Sequence, residues 1–598
     1  GKRQKAFLLS ARGYLSQSEN VVHFGLGNAA TADSVVVIWA SGAGRTVLKN
    51  VAANQTLQVN FSSENNASPV ASSLIPHPSS LFASVAAQHG LAFHSQENDF
   101  IDFNFQRTLP HKVSQPGPAI AVGDANGDGL DDIFLTGSSR NDQTWFLQQA
   151  GGRFVQKTVR YKTEIVQKEE DVAALLFDAD GDGDNDLYLV RGSGQSPEGD
   201  SLYQDVLCLN DGKGNFKIAL EALPVKHSNG SCVKAADFDG DGDLDLFVGS
   251  RVLPKAYPMP DRSFLLRNDS TPLRGGAGGV KFTDVTEALC PDLLKPGMVT
   301  DALWTDFNAD NQPDLLLACE WQPLRFFQNE KGARLIPHPS SLIPQKGWWN
   351  SLAAADLDND GDTDYIAGNF GENLYFRCTS EEPLRIYAKD FDGNQAVDPF
   401  ISCYWKDSLG DKHEFFYHPR EDVIKQMPSF RKKFNTFGEY GEATVQEIFT
   451  KEELTGATIL EANWMKTSVL ENLGGGKFRL QALPAEAQLA PVYGILPHDV
   501  NSDGWLDLLL VGNDYGMELQ QGRADAFAGL VILNKGKWQF DPVGLEQSHF
   551  VVPGDARALA SVVAGQGEEL IIATQSADSL RVFAPMQAGG RHFFPVKK

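Results

Sequence analysis

Short apolar segments of strand length recur along the chain from about residue 119 onward. Examples are AIAVG at 119–123, AALLF at 173–177 and LLLVG at 508–512. Many are followed by a Gly-rich turn and a segment with aromatic residues, as in VLCLNDGKGNFKIAL at 206–220. Because tight turns join antiparallel neighbours, this pattern predicts repeating units of about four β-strands.

An acidic string separates two apolar segments in most of these units. It reads Asp-x-Asp/Asn-x-Asp/Asn-x-x-x-Asp and begins at residues 124, 178, 237, 306, 356, 390 and 499. The distances between copies fit propeller blades with insertions better than the shorter repeats of a solenoid. A last unit at 558–585 has strands but no acidic string, which makes eight units. Because the fifth and sixth copies lie close together, the fifth unit lacks a strand. The expected fold is therefore all-β, a seven- or eight-bladed β-propeller.

The chain divides into three predicted regions. We expect a small β module at residues 1–62, a linker and leading segment at 63–118, and the propeller at 119–598. The propeller contains an insertion at about 406–465, in which Val445, Ile448 and Phe449 follow the spacing of one helix face. The insertion is therefore expected to be partly helical.

The acidic strings have the composition of a calcium loop. Oxygen ligands at positions 1, 3, 5, 7 and 9 converge when the chain turns tightly at position 6, where Gly or Asn tolerates positive φ. Position 7 ligates through its backbone carbonyl, so its side chain varies freely. An EF-hand would need a Glu at position 12 and flanking helices, but position 12 is apolar in every copy. Solvated Asp-rich turns are the remaining alternative.

The prediction is about seven structural Ca²⁺ ions, each held by one loop. The predicted ligands are Asp124, Asn126, Asp128, Leu130 and Asp132; Asp178, Asp180, Asp182, Asp184 and Asp186; Asp237, Asp239, Asp241, Asp243 and Asp245; Asp306, Asn308, Asp310, Gln312 and Asp314; Asp356, Asp358, Asp360, Asp362 and Asp364; Asp390, Asp392, Asn394, Ala396 and Asp398; and Asp499, Asn501, Asp503, Trp505 and Asp507. Weak calcium sites fill only where calcium is plentiful, so we expect an exported, extracellular or cell-surface protein.

Composition narrows the function classes. The chain of 598 residues carries 77 Asp and Glu against 52 Lys and Arg, a net charge of -25, which disfavours nucleic acid as a partner. No tract approaches the roughly 18 consecutive apolar residues of a membrane span. The six cysteines are scattered without a Cys-x-x-Cys pair, which favours buried thiols, although an even count also permits disulfides.

The loops and their strands resemble the FG-GAP/VCBS repeats of integrin-type β-propellers. The segment GYLSQSENVVHFGLGNAATADSVVVIW at 13–39 resembles the ASPIC/UnbV domain of the cartilage-acidic-protein-like family. The order of this module and HSQENDFIDFNFQRTLPHKVSQPGPAIAVGDANGDG at 94–129 is similar to the C-terminal half of long Bacteroidota surface proteins. The resemblance implies a calcium propeller at the cell surface, in some members associated with outer-membrane nutrient uptake. It names no ligand.

Three functions are compatible with this sequence. The first is a non-enzymatic binding or scaffold module for a protein or glycan, with Trp348, Trp349 and Tyr515 stacking on sugar rings and Arg523 pairing an acidic group. Core packing is the alternative role for each of these residues.

The second function is a lyase-like enzyme on acidic polysaccharide, which needs a base and positive groups. His413, His418, Arg420, Lys432 and Lys433 are its candidates, with a solvated lobe surface as the alternative. The third is a structural subunit of an outer-membrane transporter assembly.

Overall fold

The computed structural model describes residues 80–138, 140–161, 170–270, 279–339, 343–565 and 567–586, together with residues 22, 24–27, 29–38, 45–57 and 59. Two compact units are present, Gly1–Ile75 and Pro76–Lys598. In the first unit, β1 (Thr31–Ile38) pairs antiparallel with β2 (Arg45–Ala52). The first part of the predicted linker, residues 63–79, lies outside the described residues.

The described residues of the second unit form eight four-stranded antiparallel sheets, one of which gains a short fifth strand. The segment before the first acidic string gives β3 (Phe82–Ser84) and α1 (Ala86–His89). The first four sheets are β4 (Ile120–Gly123), β5 (Asp132–Leu135), β6 (Gln143–Gln149) and β7 (Arg153–Val159); β8 (Asp171–Phe177), β9 (Asp186–Arg191), β10 (Val206–Leu209) and β11 (Lys217–Ile218); β12 (Gly230–Ala236), β13 (Asp245–Ser250), β14 (Phe264–Asn268) and β15 (Phe282–Asp284), with α2 (Thr286–Leu289); and β16 (Met298–Thr305), β17 (Asp314–Gln322), β18 (Arg325–Asn329) and β19 (Leu335–Pro337), with β20 (Gly347–Trp348) paired to β17.

The fifth sheet is interrupted by a complete inserted sheet. It begins with β21 (Ser351–Ala355) and β22 (Asp364–Gly368). The inserted elements are β23 (Leu384–Lys389), β24 (Asp398–Lys406), β25 (Lys412–Phe416), α3 (Arg420–Gln426), α4 (Phe437–Glu442), α5 (Val445–Ile448), α6 (Lys451–Leu454) and β26 (Thr458–Ala462). The fifth sheet then resumes with β27 (Ser468–Asn472) and β28 (Phe478–Ala482), so its order is β21-β22-β27-β28.

The remaining two sheets contain the C-terminal strands. One is β29 (Val492–His498), β30 (Asp507–Gly512), β31 (Leu530–Asn534) and β32 (Phe540–Val543), followed by α7 (Leu545–Ser548). The other is β33 (Asp555–Ala564), β34 (Glu568–Ser576) and β35 (Arg581–Pro585), with β3 as its outer strand. Residues 82–84 therefore pair with residues 583–585, and one sheet joins the two ends of this unit.

Seven of the eight sheets form a cyclic series through their first strands. β4 packs beside β8, β8 beside β12, β12 beside β16, β16 beside β21, β21 beside β29, β29 beside β33, and β33 again beside β4. The inserted sheet, in the order β25-β24-β23-β26, is not part of this cycle. We interpret the cycle as seven blades, which explains why the fifth repeat seemed to lack strands: β27 and β28 follow the insertion.

The expected helical centre of the insertion is present as α5, and three further helices surround it. The inserted segment is longer than the predicted 406–465, because its sheet begins at Leu384 and includes the acidic string at 390. The inserted sheet packs its helices over an apolar cluster that includes Phe400, Phe416 and Phe449. The string at 390 therefore belongs to this separate sheet and not to a blade of the cycle.

Apolar side chains of facing sheets form the cores between blades. Leu315, Leu317 and Phe327 of the fourth blade pack with Phe247 and Leu265 of the third, for example. The six cysteines are free thiols, and all except the half-buried Cys378 are buried. The described helices include none with the length and apolar character needed to cross a membrane.

Candidate functional site

Each acidic string forms a loop between the first two strands of its blade, or between β23 and β24 in the inserted sheet. We call the strings at 124, 178, 237, 306, 356 and 499 ring loops 1 to 6, and the string at 390 the inserted loop. All seven loops therefore connect β-strands, as the apolar residues at position 12 predicted.

A common hydrogen-bond pattern shapes the seven loops. The Asp at position 1 accepts a hydrogen bond through Oδ2 from the backbone N–H of position 6 in every loop. The side chain at position 5 accepts one from the N–H of position 7. These bonds curl the backbone around the carboxylates, so the polar side chains gather on the inside of the turn.

The backbone is left-handed at two positions of each loop. Position 6 has φ between 61° and 99°, which the sequence predicted from its glycines. Position 4 is also left-handed in all seven loops, with φ between 58° and 79°. The sequence indicates the left-handed conformation less clearly at position 4, because Ala309 and Ser502 occupy this position in ring loops 4 and 6.

Position 9 is a buried aspartate in every loop. Its Oδ1 accepts a hydrogen bond from the backbone N–H that ends the third strand of the blade, as Asp186 does from Asn210 at 2.8 Å. In the inserted loop, Asp398 accepts instead from the side chain of Gln426. Burial raises the pKa of the position-9 carboxyl groups, although these hydrogen bonds act to lower it. The pKa rises to about 7 for Asp186, Asp245, Asp314 and Asp364, and to about 6 for Asp132, Asp398 and Asp507.

Five loops bring three carboxylate oxygens within 4.8 Å of one another, an arrangement that can hold a metal ion. The groups are Asp178, Asp180 and Asp186; Asp237, Asp239 and Asp245; Asp306, Asp310 and Asp314; Asp356, Asp358 and Asp360; and Asp390, Asp392 and Asp398. Ring loops 1, 4 and 6 have an Asn at position 3, so an amide oxygen replaces one carboxylate there.

Several loop carboxylates have a buried oxygen without a hydrogen-bond partner. This holds for Oδ1 of Asp180, Asp184, Asp356, Asp362 and Asp392. A buried, unpaired carboxylate oxygen is costly, and a cation bound among the loop side chains would pair it. The loop residues therefore fit a hard divalent cation held by oxygen ligands.

Position 7 is an aspartate in ring loops 2, 3 and 5. Asp184 in ring loop 2 and Asp362 in ring loop 5 each bury one carboxylate oxygen. Burial, reinforced by Asp182 beside Asp184 and by Asp360 beside Asp362, raises the pKa of each to about 6. These two position-7 carboxylates therefore lie near the other acidic side chains of their loops.

Sequence reasoning missed a set of amides that join neighbouring blades. An asparagine ends or directly follows the third strand in blades two to six: Asn210, Asn268, Asn329, Asn472 and Asn534. Its side-chain NH₂ donates to the position-2 carbonyl of the preceding loop. The same NH₂ also donates to the position-8 carbonyl of its own loop. The signal was present as apolar stretches ending in Asn or Gln, but their role depends on blade packing.

A buried polar network lies where the second strands β13, β17 and β30 end, on the side away from their acidic loops. Glu320 pairs with Arg251 and accepts a hydrogen bond from Tyr257, while His111 lies 3.6 Å from Glu320 and 3.8 Å from Asp514. Burial acts to raise the pKa of Glu320, but Arg251 and His111 outweigh it and hold that pKa well below its usual range. His111 comes from the segment before the first blade, so this segment contributes to the centre of the face away from the loops.

A small cavity lies beside the same segment. It is about 10 Å³ in volume and is lined by Glu97, Glu170 and Asp171 among others. That volume holds about one water molecule. Burial and the neighbouring Glu170 raise the pKa of Glu97 to about 8. This cavity is too small for a sugar ring or a peptide.

The four residues predicted to bind a ligand have different positions. Trp348 and Trp349 are fully buried, and Trp348 packs against Trp321 and Phe370 at ring-centroid distances of 4.8 and 4.9 Å. These two side chains therefore cannot stack on a sugar ring, and their burial matches the alternative role of core packing, because β20 carries Trp348 against β17 in the interior. Tyr515 is 36% exposed, and the guanidinium of Arg523 lies 4.6 Å from its ring centroid.

The basic candidates of the insertion are mostly engaged in local contacts. His418 is buried, and burial lowers its pKa to about 3. Its Nε2 accepts the N–H of Ile401 at 3.2 Å. Arg420 donates to the carbonyl of Phe434, Lys433 pairs with Glu453, and His413 pairs with Asp407.

An exposed aromatic patch lies where the insertion meets the loop at 513–529. We define the aromatic patch as Tyr375, Trp405 and Leu519. Tyr375 is 64% exposed and contacts Trp405 edge-on at 6.0 Å, and Leu519 is 92% exposed. The backbone N–H of Tyr375 donates to Gln521 at 3.0 Å, which joins the two segments.

These features define a fold class: a β-propeller whose strands are joined by acidic loops. Residues 124–189, 178–248 and 306–367 match the family model described as FG-GAP-like repeat, and residues 1–67 match the model described as ASPIC and UnbV. The chain therefore carries an ASPIC/UnbV segment followed by FG-GAP-like repeats. These matches confirm the two resemblances, to the ASPIC/UnbV domain and to FG-GAP repeats, that the sequence predicted.

Several known proteins have weak sequence or structural similarity to this chain. Cartilage acidic protein 1 of Homo sapiens is 24% identical over 229 residues, which is 35% of this chain and only 31% of that protein. Among solved structures, a lectin from Agrocybe aegerita that recognises non-reducing terminal N-acetylglucosamine is 15% identical with a TM-score of 0.38, over 72% of this chain and 80% of its own. The Dos1 propeller is 9% identical with a TM-score of 0.33, over 81% of this chain and 95% of its own. Both TM-scores are below 0.5, so no function is transferred from either structure.

Proposed function

We propose that this protein is a calcium-stabilised extracellular propeller that serves as a binding or scaffold module at the cell surface. The observation that supports calcium is the set of buried loop carboxylate oxygens without a hydrogen-bond partner. Calcium suits these loops because it accepts many oxygen ligands in a flexible geometry, whereas Mg²⁺ demands an octahedron. The residues at positions 1, 3, 5, 7 and 9 of each loop would hold up to seven ions.

The calcium part predicts a metal-dependent stability. Chelation of the full chain should lower its melting temperature by about 10 °C or more, and added Ca²⁺ should restore it, because a ligand that binds only the folded state stabilises that state. Asp239→Ala should reduce the number of ions bound by one and lower the midpoint by a few degrees. Asp541→Ala, an exposed aspartate of β32, is the matched control and should bind as many ions as the wild type. Identical melting with and without chelator would contradict the calcium assignment.

An extracellular location follows from the same chemistry. Calcium sites of extracellular modules have dissociation constants of about 10⁻⁴ to 10⁻³ M. The low calcium concentration of the cytosol would leave such weak sites empty. The similar human protein is named for cartilage, a tissue rich in extracellular matrix, and this name supports the proposal. Association with an outer-membrane uptake complex is a narrower form of the same proposal.

The aromatic patch is the proposed binding surface. The exposed ring of Tyr375 and the half-buried ring of Trp405, beside polar side chains such as Gln521, suit the stacking of sugar rings or the docking of a protein loop. Tyr515 and Arg523 lie on the same loop as Leu519 and extend the surface. The centre of this face is filled by His111 and its buried partners, so ligand contact is assigned to the projecting segments.

Binding can be tested with the full chain on an array of immobilised polysaccharides and on isolated cell-surface fractions. Tyr375→Ala and Trp405→Ala should each weaken binding about tenfold, because truncating an aromatic side chain that anchors a binding surface costs more than about 1 kcal/mol. Leu409→Ala, at a residue 87% exposed on the same insertion, should bind like the wild type. Equal binding by all variants would reject this surface. The observed contacts of His418 and Arg420 give the lyase alternative no specific support.

A further inference from the structure

The amide of Asn534 joins two acidic loops in different blades. Asn534 is 1% exposed and ends β31 in blade six. Its backbone N–H donates to Asp507, position 9 of ring loop 6, at 2.8 Å. Its side-chain Nδ2 donates to Leu357, position 2 of ring loop 5, at 2.7 Å and to Leu506, position 8 of ring loop 6, at 3.2 Å.

Both acceptor carbonyls lie next to proposed metal ligands. Leu357 lies between Asp356 and Asp358, and its own N–H donates to Asp364 at 3.0 Å. Leu506 lies between Trp505 and Asp507 in the other loop. One buried amide therefore holds the backbone beside the ligands of two metal loops, and neither loop can shift without affecting that amide.

We propose that Asn534 couples metal binding in ring loops 5 and 6, and that Asn210, Asn268, Asn329 and Asn472 couple the earlier neighbours in the same way. The inference rests on the proposed metal occupancy. An ion in one loop orders its backbone, which fixes the shared amide and lowers the ordering cost of the next loop. Since each asparagine links a loop only to its predecessor, the coupling passes between adjacent blades.

Among the described residues, blade one and the inserted sheet lack an asparagine that joins two acidic loops. In blade one the corresponding residue is Gln148, which donates to Asp131 of ring loop 1 and to Val563 of blade seven, where no acidic loop exists. In the inserted loop, Asp398 is held by Gln426. Ring loops 1 to 6 thus form an open series, and the inserted loop stands outside it.

Ring loop 6 can be measured separately because Trp505 occupies its position 7. Tb³⁺ takes the oxygen sites that suit Ca²⁺ and emits when a nearby indole is excited. The component of emission that disappears in Trp505→Phe reports ring loop 6. The probe is Tb³⁺ added to the full chain, and the measured quantity is its dissociation constant at this loop.

A double-mutant cycle tests the coupling. Asp358→Ala disables ring loop 5 and should weaken Tb³⁺ binding at ring loop 6 about fivefold, the lower end of typical coupling between sites. In an Asn534→Leu background, the same Asp358→Ala change should alter the affinity less than about twofold. Asp392→Ala in the inserted loop and Asp180→Ala in ring loop 2 are matched controls at position 3 and should leave ring loop 6 unchanged.

The other outcomes overturn the proposal in distinguishable ways. An unchanged ring loop 6 in Asp358→Ala would exclude coupling, and this result needs no substitution of Asn534. A fivefold effect that persists in Asn534→Leu would mean that another contact between the two loops carries the coupling. One such contact is the hydrogen bond from the Asn359 side chain to the Gly504 carbonyl at 3.2 Å. Absence of any Trp505-dependent emission in the wild type would reject metal occupancy of this loop, and the proposed function would fail there together with the coupling.

Discussion

At the scale of single residues, the left-handed backbone at positions 4 and 6 sets which side chains each acidic loop tolerates. Glycine adopts this conformation without a steric penalty, whereas an L-residue with a Cβ atom is strained there. Ala309 at φ 61° occupies position 4 of ring loop 4, whereas five of the six other loops have Gly or Asn at this position. Ala309 is thus a point of strain in a loop that is otherwise well bonded.

We expect Ala309→Gly to raise the free energy of unfolding by about 1 kcal/mol, because it removes that strain. Denaturant unfolding at saturating calcium measures the change. Ala396→Gly is the control, since Ala396 lies at position 7 of the inserted loop and is not among the residues with positive φ. Glycine there adds only unfolded-chain entropy and should lower stability by about 0.5–1 kcal/mol. A destabilised Ala309→Gly would contradict the strain argument.

At the scale of elements, the inserted sheet repeats the design of a blade with different components. Its loop connects β23 and β24 like a ring loop, but the partner of its position-9 Asp398 comes from α3 and not from a third strand. A separate apolar cluster under α3, α4 and α5 includes Phe430, Tyr440 and Phe449. The insertion therefore carries its own core.

The buried His418 makes this element sensitive to acid. Burial lowers its folded-state pKa to about 3, while the unfolded value is about 6.5. Below pH 6.5 the unfolded chain binds a proton that the folded chain does not, so this group destabilises the fold by about 1.4 kcal/mol for each pH unit down toward 3.

His418→Gln keeps an acceptor for the N–H of Ile401 and cannot become charged. Between pH 7 and pH 5, we expect the variant to lose about 2 kcal/mol less stability than the wild type. Denaturant unfolding at both pH values, with calcium present, measures this difference. His413→Gln in the neighbouring β25 serves as the exposed control, and equal pH dependence in wild type and His418→Gln would reject the assignment.

At the scale of the whole molecule, the last blade joins the two ends of the second unit. β3 is its outer strand, and Phe82 is fully buried there. The Phe82 ring lies 5.4 Å from Phe550 and 6.4 Å from Phe583. A strand from the start of the unit thus completes a sheet built from its end.

Loss of the Phe82 side chain should weaken this junction. Phe82→Ala is expected to lower the free energy of unfolding by about 3–5 kcal/mol, the usual cost of emptying a buried phenylalanine site. Val155→Ala in β7, where the side chain is 54% exposed, should change stability by less than about 0.5 kcal/mol. Equilibrium unfolding compares the two, and similar values for both variants would mean that β3 does not hold the last blade.

The sequence by itself determined the features that depend on neighbouring residues along the chain. The acidic strings fixed the loops, and the apolar residues at position 12 fixed their flanking strands, because turn chemistry and period-two packing act over a few residues. The helical centre of the insertion followed from the spacing of Val445 and Ile448 for the same reason.

The tertiary structure alone decided which strands share a sheet. The return of β27 and β28 to the fifth blade, the pairing of β3 with β35 and the burial of Trp348 depend on contacts between residues far apart in sequence. The contacts of Asn534 with both Leu357 and Leu506 belong to this group as well. Local patterns carry no information about such partners, because the partners meet only when the blades pack side by side.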